Sequence, residues 1–245
     1  MALLSEKKIG KQTSRLRLTI HCHTLNGFSF DIADRADNIL YISEKDLSSS
    51  EIFSHTLVKN KDYFQVKVLI NTEKYTLVPN NVGKTGLNEE FDIDGNYALS
   101  ELFDINSNEM VIASKLNFYP ATFFFAIDRK FYKNLSYSFT NTVILPLSQT
   151  LLETGLEINQ NNKILLHITD DKIHVVAIER SKLLLINSYP ATDINTITYF
   201  VFLVTKEVMF NPLFTFIYLS SDIDNPIAIV DRLKEYYKSV QQISH

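Results

Sequence analysis

Cysteine occurs once in the 245 residues of this chain, and glycine and proline occur only six times each. The single Cys22 excludes an intramolecular disulfide, as is typical of a protein from a reducing compartment. Few glycines leave few places for a glycine-rich loop of the kind that wraps phosphate groups. We therefore expect few glycine-rich phosphate loops in this chain.

Charge of one sign is not concentrated anywhere in the chain. The net charge is −4, from 24 basic and 28 acidic residues, and the two kinds are interspersed. Without a basic stripe to contact a phosphate backbone, we expect no nucleic-acid partner. The hydrophobic content of 45% beside 21% charged residues is ordinary for a globular protein and excludes global disorder.

A long hydrophobic run is missing as well. The most apolar stretch, residues 194–205, is about a dozen residues long, whereas a membrane-spanning helix needs roughly 20. The first residues, MALLSEKKIGKQTSR, carry charges where a signal peptide requires an apolar core. We therefore expect no membrane insertion, no export signal and a location in the cytoplasm.

One pattern occurs twice, first in residues 16–43 and again in residues 164–188. Each copy consists of three short apolar strands joined by polar turns, which predicts an antiparallel meander. Phe28 and Ile173 lie 145 positions apart, and the same offset aligns the third strands. The second and third strands of the meander therefore repeat in register.

Helix and strand patterns alternate through the rest of the chain. Ser48 and Glu51, three residues apart, form a capping box that starts a helix, and Asp128 is placed to cap another. Residues 123–127 are all apolar, which predicts a strand in the centre of a sheet. Residues 194–210 are rich in strand formers, but the length of the run favours a buried helix. Further strands are predicted at 64–70 and 75–78 as a hairpin, at 110–117, 143–145 and 213–219, and further helices at 148–156 and from Pro226 to Val240.

A meander followed by a helix and a strand, occurring twice, is the order of the ribonuclease H-like unit. Its tandem duplication is the architecture of actin, hexokinase and Hsp70. We therefore predict an α/β protein with mixed sheets, built from two duplicated ribonuclease H-like units. The asparagine-rich run at 159–162 marks the boundary. It separates a first lobe, 1–158, with a hairpin insertion at about 60–117, from a second lobe, 159–245.

Three short motifs resemble DUF3822, a family of uncharacterised Bacteroidetes proteins. They are Gly27-Phe28-Ser29-Phe30, then Thr76-Leu77-Val78-Pro79, and the strand end Tyr218-Leu219-Ser220. The resemblance covers nearly the whole chain and implies an actin-like ATPase fold similar to that of pilus-assembly ATPase-like proteins. The motifs are structural in kind, and no activity is implied by them.

An actin-like ATPase needs three nucleotide loops, and two of them contact phosphate. The first normally supplies a metal-binding aspartate and a glycine, but the first hairpin turn here has Asn26-Gly27 and no aspartate. The second normally combines aspartate with glycine, but the turn here reads Asp170-Asp171-Lys172 after Thr169. Two adjacent carboxylates without glycine amides repel a triphosphate unless a metal lies between them.

The third loop, which contacts the nucleoside, normally ends in paired glycines. Here Ser220 and Ser221 follow Leu219, so that side chains take the space that a nucleoside requires. All three loops are altered, which predicts a degenerate nucleotide site.

Two further patterns resemble ligand sites. Val82-Gly83-Lys84-Thr85 suggests a P-loop, but the glycine required five positions before Gly83 is Val78. His21 and His23 lie two residues apart on one face of a strand, and His167 and His174 flank the corresponding turn of the second copy, without an evident third metal ligand. We therefore expect no metal site, and we expect Cys22, on the face opposite to His21 and His23, to be a core residue.

These observations favour a non-catalytic actin-like protein that binds or scaffolds an unknown protein partner and has no cofactor. The alternative is a divergent ATPase or ATP-binding switch, in which Asp170 or Asp171 holds Mg²⁺ and Asn26-Gly27 contacts phosphate. A metal-dependent hydrolase of the ribonuclease H type needs several clustered acids, and the strands of the first meander offer only Asp31.

Overall fold

The computed structural model describes residues 9, 13–23, 27–59, 61–80, 94–117, 119–223 and 225–243. The chain divides into two compact units, Met1–Pro146 and Leu147–His245. Within the described ranges no helix has both the length and the apolar character needed to cross a bilayer.

The first unit is built on a five-stranded mixed sheet. Its strands lie in the order β3-β2-β1-β4-β8, where β1 is Arg17–Cys22, β2 Phe28–Ala33, β3 Ile39–Ile42, β4 Gln65–Ile70 and β8 Thr142–Pro146. The first three strands pair antiparallel, as the predicted meander requires, whereas β4 and β8 add in parallel. Alternate residues of β1, among them Leu18, Ile20 and Cys22, are buried, and burial raises the pKa of the Cys22 thiol.

A separate three-stranded antiparallel sheet contains the other described strands of this unit. Its order is β5-β7-β6, where β5 is Tyr75–Pro79, β6 Glu109–Lys115 and β7 Ala121–Asp128. The central position predicted for residues 123–127 is confirmed. The predicted hairpin of residues 64–70 with 75–78 is wrong, because β4 pairs with β1 and β5 pairs with β7. Asn71 holds the connection away from a hairpin, since its backbone N–H and its side-chain amide donate to the carbonyls of Cys22 and His23.

The helices of the first unit begin where the capping residues indicate. The α-helices whose bounds lie among the described residues are α1 (Ser49–Ser54), α2 (Gly95–Ser100) and α3 (Arg129–Ser138). Ser48 and Glu51 form the predicted reciprocal capping box, and the Asp128 carboxylate accepts from the Phe131 N–H at 2.7 Å. Phe131 then stacks on Phe28, with ring centroids 4.8 Å apart, so that α3 is fastened to the meander.

The second unit is a five-stranded mixed sheet with helices on both faces. The order is β11-β10-β9-β12-β13, where β9 is Asn162–Ile168, β10 Lys172–Glu179, β11 Lys182–Pro190, β12 Thr215–Ser221 and β13 Ser239–Gln242. One face is covered by α4 (Leu147–Glu157), whose Gly155 lies directly against Leu165 and Ile178. The other is covered by α5 (Ile194–Glu207) and α6 (Ile227–Lys234) through Val201, Val204 and Leu233. The predicted boundary at 159–162 places α4 at the end of the first lobe. In the structure α4 packs with the second unit, which begins at Leu147.

The duplication extends to an irregularity of the backbone. The pairing register shifts between Ile32 and Ala33 in β2 and between Ala177 and Ile178 in β10, two places that are also 145 residues apart. A bulge at the same point of both meanders increases the local twist in the same way. It supports the repeat independently of side-chain identity.

The sequence predicts the start of α5 correctly but not the end of α6. Asp193 caps α5 through hydrogen bonds from the N–H groups of Asn195 and Thr196, which confirms a helix in a segment rich in strand formers. The predicted continuation of the last helix to Val240 is wrong. The helix ends at Lys234, and Val240 belongs to β13, which pairs in parallel with β12.

A buried lysine closes the end of this sheet at which β9 begins. Lys163 is 1% exposed, and its Nζ donates to the carbonyls of Ile158 at 2.6 Å, Gln160 at 3.0 Å and Arg180 at 2.6 Å. Burial lowers the pKa of Lys163. The ammonium group thereby joins the segment before β9 to the turn between β10 and β11.

Candidate functional site

The first candidate loop joins β1 to β2. Asn26 lies outside the described residues. Gly27 is buried, and its carbonyl accepts from the His23 N–H at 2.9 Å. His21 on β1 and His23 just after it have local partners, since His21 Nε2 lies 2.6 Å from Asp31 Oδ2 and His23 Nε2 lies 2.7 Å from Ser29 Oγ.

The second candidate loop is a tight turn whose polar groups bind one another. The Thr169 N–H donates to the Lys172 carbonyl at 2.9 Å, and Thr169 Oγ1 lies 2.9 Å from Asp171 Oδ1. Lys172 Nζ lies 3.3 Å from Asp171 Oδ2. The Asp171 carboxylate is thus balanced by a hydroxyl and an ammonium of its own turn, while Asp170 is exposed at the tip.

The third candidate loop follows β12. Ser220 is 4% exposed, with Oγ 2.9 Å from His167 Nδ1 and 3.3 Å from the Leu166 carbonyl. Ser221 turns the chain, because its Oγ accepts from the Ile223 N–H at 3.0 Å. Both hydroxyls therefore bind the protein itself at the point where paired glycines would leave open space.

Strand register brings the second and third loops to one end of the second unit's sheet. Ser220 pairs with His167 and Ser221 with Ile168, and the Asp222 N–H donates to the Ile168 carbonyl at 2.9 Å. Of the predicted site residues, Asp170, Asp171, Lys172, Ser220 and Ser221 therefore share an edge. Asn26 and Gly27 belong to the first unit.

A buried histidine pair stands behind this edge. His167 and His174 are 3% and 0% exposed, face each other across β9 and β10, and have ring centroids 6.3 Å apart. His174 Nδ1 lies 2.7 Å from Ser188 Oγ and 3.3 Å from Ser148 Oγ. The pair thus connects β9, β10, β11 and α4 through hydroxyl groups.

The contact of His167 with a carboxylate superficially resembles a catalytic triad. Its Nε2 lies 3.4 Å from Asp222 Oδ2, while its Nδ1 faces Ser220. A nucleophile must reach its substrate, and Ser220 is almost completely buried. The arrangement therefore fastens the ends of β9 and β12 and does not present a nucleophile.

Sequence reasoning missed Ser148, Ser188 and Asp222 as members of this network. The sequence indicated that His167 and His174 flank one turn, because residues on either side of a hairpin turn pair with each other. The serines come from α4 and β11, and no spacing in the sequence indicates that they meet the histidines. Within the described ranges, no three histidine, cysteine, aspartate or glutamate side chains are grouped as a metal site requires.

Comparison with known proteins places this geometry in a fold. A Bacteroides thetaiotaomicron protein with actin-like ATPase fold and unknown function is 20% identical over 99% of this chain and 94% of its own, with a TM-score of 0.77. The PilM–PilN type IV pilus biogenesis complex contains a chain that is 11% identical over 93% of this chain and 88% of its own, with a TM-score of 0.55. The cytoplasmic domain of EpsL, an inner-membrane component of the type II secretion system of Vibrio cholerae, is 9% identical over 86% and 84%, with a TM-score of 0.51. The chain therefore has the actin-like ATPase fold.

The sequence comparisons agree with the resemblance seen in its motifs. No curated protein sequence matches the chain significantly. The family model DUF3822, described as a protein of unknown function, matches residues 5–240, so the chain belongs to the DUF3822 family.

Proposed function

We propose that this chain is a non-catalytic form of the actin-like ATPase fold, which binds or scaffolds another protein and uses no nucleotide. The observation that carries the proposal is the closure of the edge formed by the loops after β9 and β12. Thr169 and Lys172 engage Asp171, and Ser220 is buried against His167. These contacts engage the Asp171 carboxylate and the Ser220 hydroxyl within the protein, at two of the positions where an ATPase contacts its ligand.

Charge supports the same proposal. Asp170 and Asp171 are adjacent, and Lys172, the one cation of the turn, is held by Asp171. A triphosphate approaching this turn meets net negative charge without glycine amides to offset it. Mg²⁺ would have to compete with Lys172 for the Asp171 carboxylate.

Two relatives in fold are consistent with a role in assembly. One was solved as the PilM–PilN type IV pilus biogenesis complex, and another is described as a component of a type II secretion system. By analogy, the actin-like fold serves here as a platform for a protein partner. We place this role in the cytoplasm, because Cys22 is a buried free thiol of the kind that a reducing compartment preserves.

Thermal unfolding with and without ATP, ADP and Mg²⁺ tests the proposal. A ligand present at 100 times its dissociation constant stabilises a protein by about 2.7 kcal/mol, a visible rise in midpoint. We expect no rise at millimolar nucleotide beyond that produced by sodium sulfate at matched ionic strength.

A rise with nucleotide would overturn the proposal and support the ATP-binding switch. The double variant Asp170→Ala, Asp171→Ala then identifies the site, because a switch that uses these carboxylates loses the Mg²⁺-dependent part of the rise. The matched control is Asp231→Ala, an exposed acid on α6, which should leave any rise unchanged.

A further inference from the structure

The edge strand β11 of the second unit's sheet has an open side. β11 is nine residues long, Lys182–Pro190, and within the described part of the chain it pairs only with β10. Residues 183–186, in its first half, are Leu-Leu-Leu-Ile and are half-buried. A long apolar edge strand presents backbone groups and side chains that suit another strand.

The neighbouring hydrogen bonds identify which residues of β11 point outward. In an antiparallel ladder, residues alternate between bonding one neighbour and facing away from it. The Ala191 N–H donates to the Asp171 carbonyl on the β10 side. The backbone N–H and C=O groups of Ile186 and Ser188, and the C=O of Pro190, therefore point away from β10. The Ser188 N–H fits this assignment, because it donates to Asn187 Oδ1 at 2.8 Å and not to β10.

These outward positions are complementary to themselves. If two copies of β11 run antiparallel about a two-fold axis at Asn187, Ile186 of each copy lies opposite Ser188 of the other. Each such pair exchanges two N–H···O=C bonds. The Ser188 N–H then donates to a carbonyl of the second copy, in place of the side-chain oxygen that it uses in the single chain.

Charge selects the same antiparallel arrangement. Exposed Arg180 and Lys182 stand at one end of β11, and exposed Asp193 follows the other end. The two-fold axis brings Lys182 of each copy beside the Asp193 region of the other, so that opposite charges meet. A parallel arrangement would place like charges together.

Exposed apolar side chains continue the surface on the α5 side. Tyr189 of β11 stacks on Phe200 of α5, with ring centroids 4.5 Å apart, and Phe200 contacts Tyr199 edge-on. Tyr199 is 60% exposed, and Leu203, one turn further along the helix, is 38% exposed. A second strand on β11 would cover part of this surface.

From these observations we propose that the protein forms a homodimer in which β11 pairs antiparallel with β11 of a second copy, joining two five-stranded sheets into one of ten strands. The proposal does not depend on the absence of nucleotide binding. A closed two-fold pairing also removes the edge from further strand addition, so the assembly stops at two copies.

Sedimentation velocity of the full chain, from micromolar to millimolar concentration, measures the association directly. We expect a concentration-dependent dimer. The variant Ile186→Pro removes only an outward N–H and, like the natural Pro190, leaves the β10 pairing intact. It should weaken the dimer at least about tenfold, because two symmetric hydrogen bonds are lost, whereas Ile186→Ala keeps both and should remain dimeric.

Cross-linking tests the register independently of any proline effect. Asn187 faces its own copy across the axis as a non-hydrogen-bonded pair, with Cα atoms about 4.5 Å apart, which lies within the range of a disulfide. Asn187→Cys should therefore cross-link under mild oxidation, and Lys206→Cys, exposed on α5, should not. A monomer at millimolar concentration would refute the proposal, as would a dimer that resists Ile186→Pro and shows no Asn187→Cys cross-link.

Discussion

Replacing Lys163 by methionine tests whether one buried ammonium group holds the start of β9 in place. Methionine has a similar length, but it offers no donor to the carbonyls of Ile158, Gln160 and Arg180. Hydrogen bonds to a charged donor contribute roughly 1.5–3 kcal/mol each. Two effects reduce the sum: methionine is spared the cost of burying a charge, and the Arg180 and Gln160 segments are exposed enough to regain water.

We therefore expect Lys163→Met to lower the free energy of unfolding by about 3 kcal/mol. If the chain unfolds as one cooperative unit, the midpoint of thermal unfolding falls by about 6–12 °C. The assay is urea unfolding followed by far-UV circular dichroism, supported by tyrosine emission, since the chain has 12 tyrosines and no tryptophan. Lys206→Met is the matched control, because Lys206 is an exposed lysine of the same unit that lies outside the proposed β11 pairing, and its loss should stay within about 0.5 kcal/mol.

The pH dependence supplies a second readout of the same residue. Burial lowers the pKa of Lys163 in the folded state, so the unfolded chain binds the proton more tightly than the folded chain. The stability of the wild type relative to Lys163→Met should therefore increase as pH rises from the lowered pKa toward the unfolded value of about 10.4. A loss below about 0.5 kcal/mol at neutral pH would refute the reasoning, because the three carbonyls would then have no need of the ammonium group.

Two further changes test the packing and capping of the second unit. A change from glycine to alanine inside a helix normally stabilises it by about 1 kcal/mol. Gly155→Ala should instead lower the free energy of unfolding by about 1–2 kcal/mol, measured in urea, because the new Cβ would lie 2.6 Å from the Cδ1 atoms of Leu165 and Ile178. A gain in stability would show that both side chains move away freely. At Asp193, hydrogen bonds from the side chain and backbone of Thr196 hold the carboxyl pKa below its ordinary value. The stability that the ionised Asp193 carboxylate contributes is present above the unfolded pKa of about 3.9 and is lost as pH falls through the lowered folded value. Asp193→Asn should lose this acid dependence in thermal melts between neutral and strongly acidic pH. An unchanged acid profile would contradict the assignment.

At the edge formed by the loops after β9 and β12, the sequence and the structure supply different parts of the description. The sequence indicates that glycines are missing from the turn after β9 and from the end of β12. The structure adds where the replacing groups go: Asp171 to Thr169 and Lys172, and Ser220 to His167. A missing glycine permits several outcomes, and only the side-chain contacts distinguish an open loop from a closed one.

The sequence by itself determined the features that depend on neighbours along the chain. Period-two alternation predicted the two meanders, and polar residues ahead of apolar runs predicted the caps at Ser48 and Asp128, all of which the structure confirms. These signals are readable because a strand's alternation and a helix's first turn are completed within a few residues. The repeat of the meander then identified the duplicated fold.

Tertiary structure decided which distant segments meet. Residues 64–70 and 75–78 have the pattern of a hairpin, yet β4 joins β1 across more than forty intervening residues and β5 joins another sheet. Likewise, Val240 continues a helical spacing but extends the sheet as part of β13, and His174 meets Ser148 of α4. Strand pairing and burial follow from the competition among all available partners in the compact chain, and that competition leaves no local pattern to read.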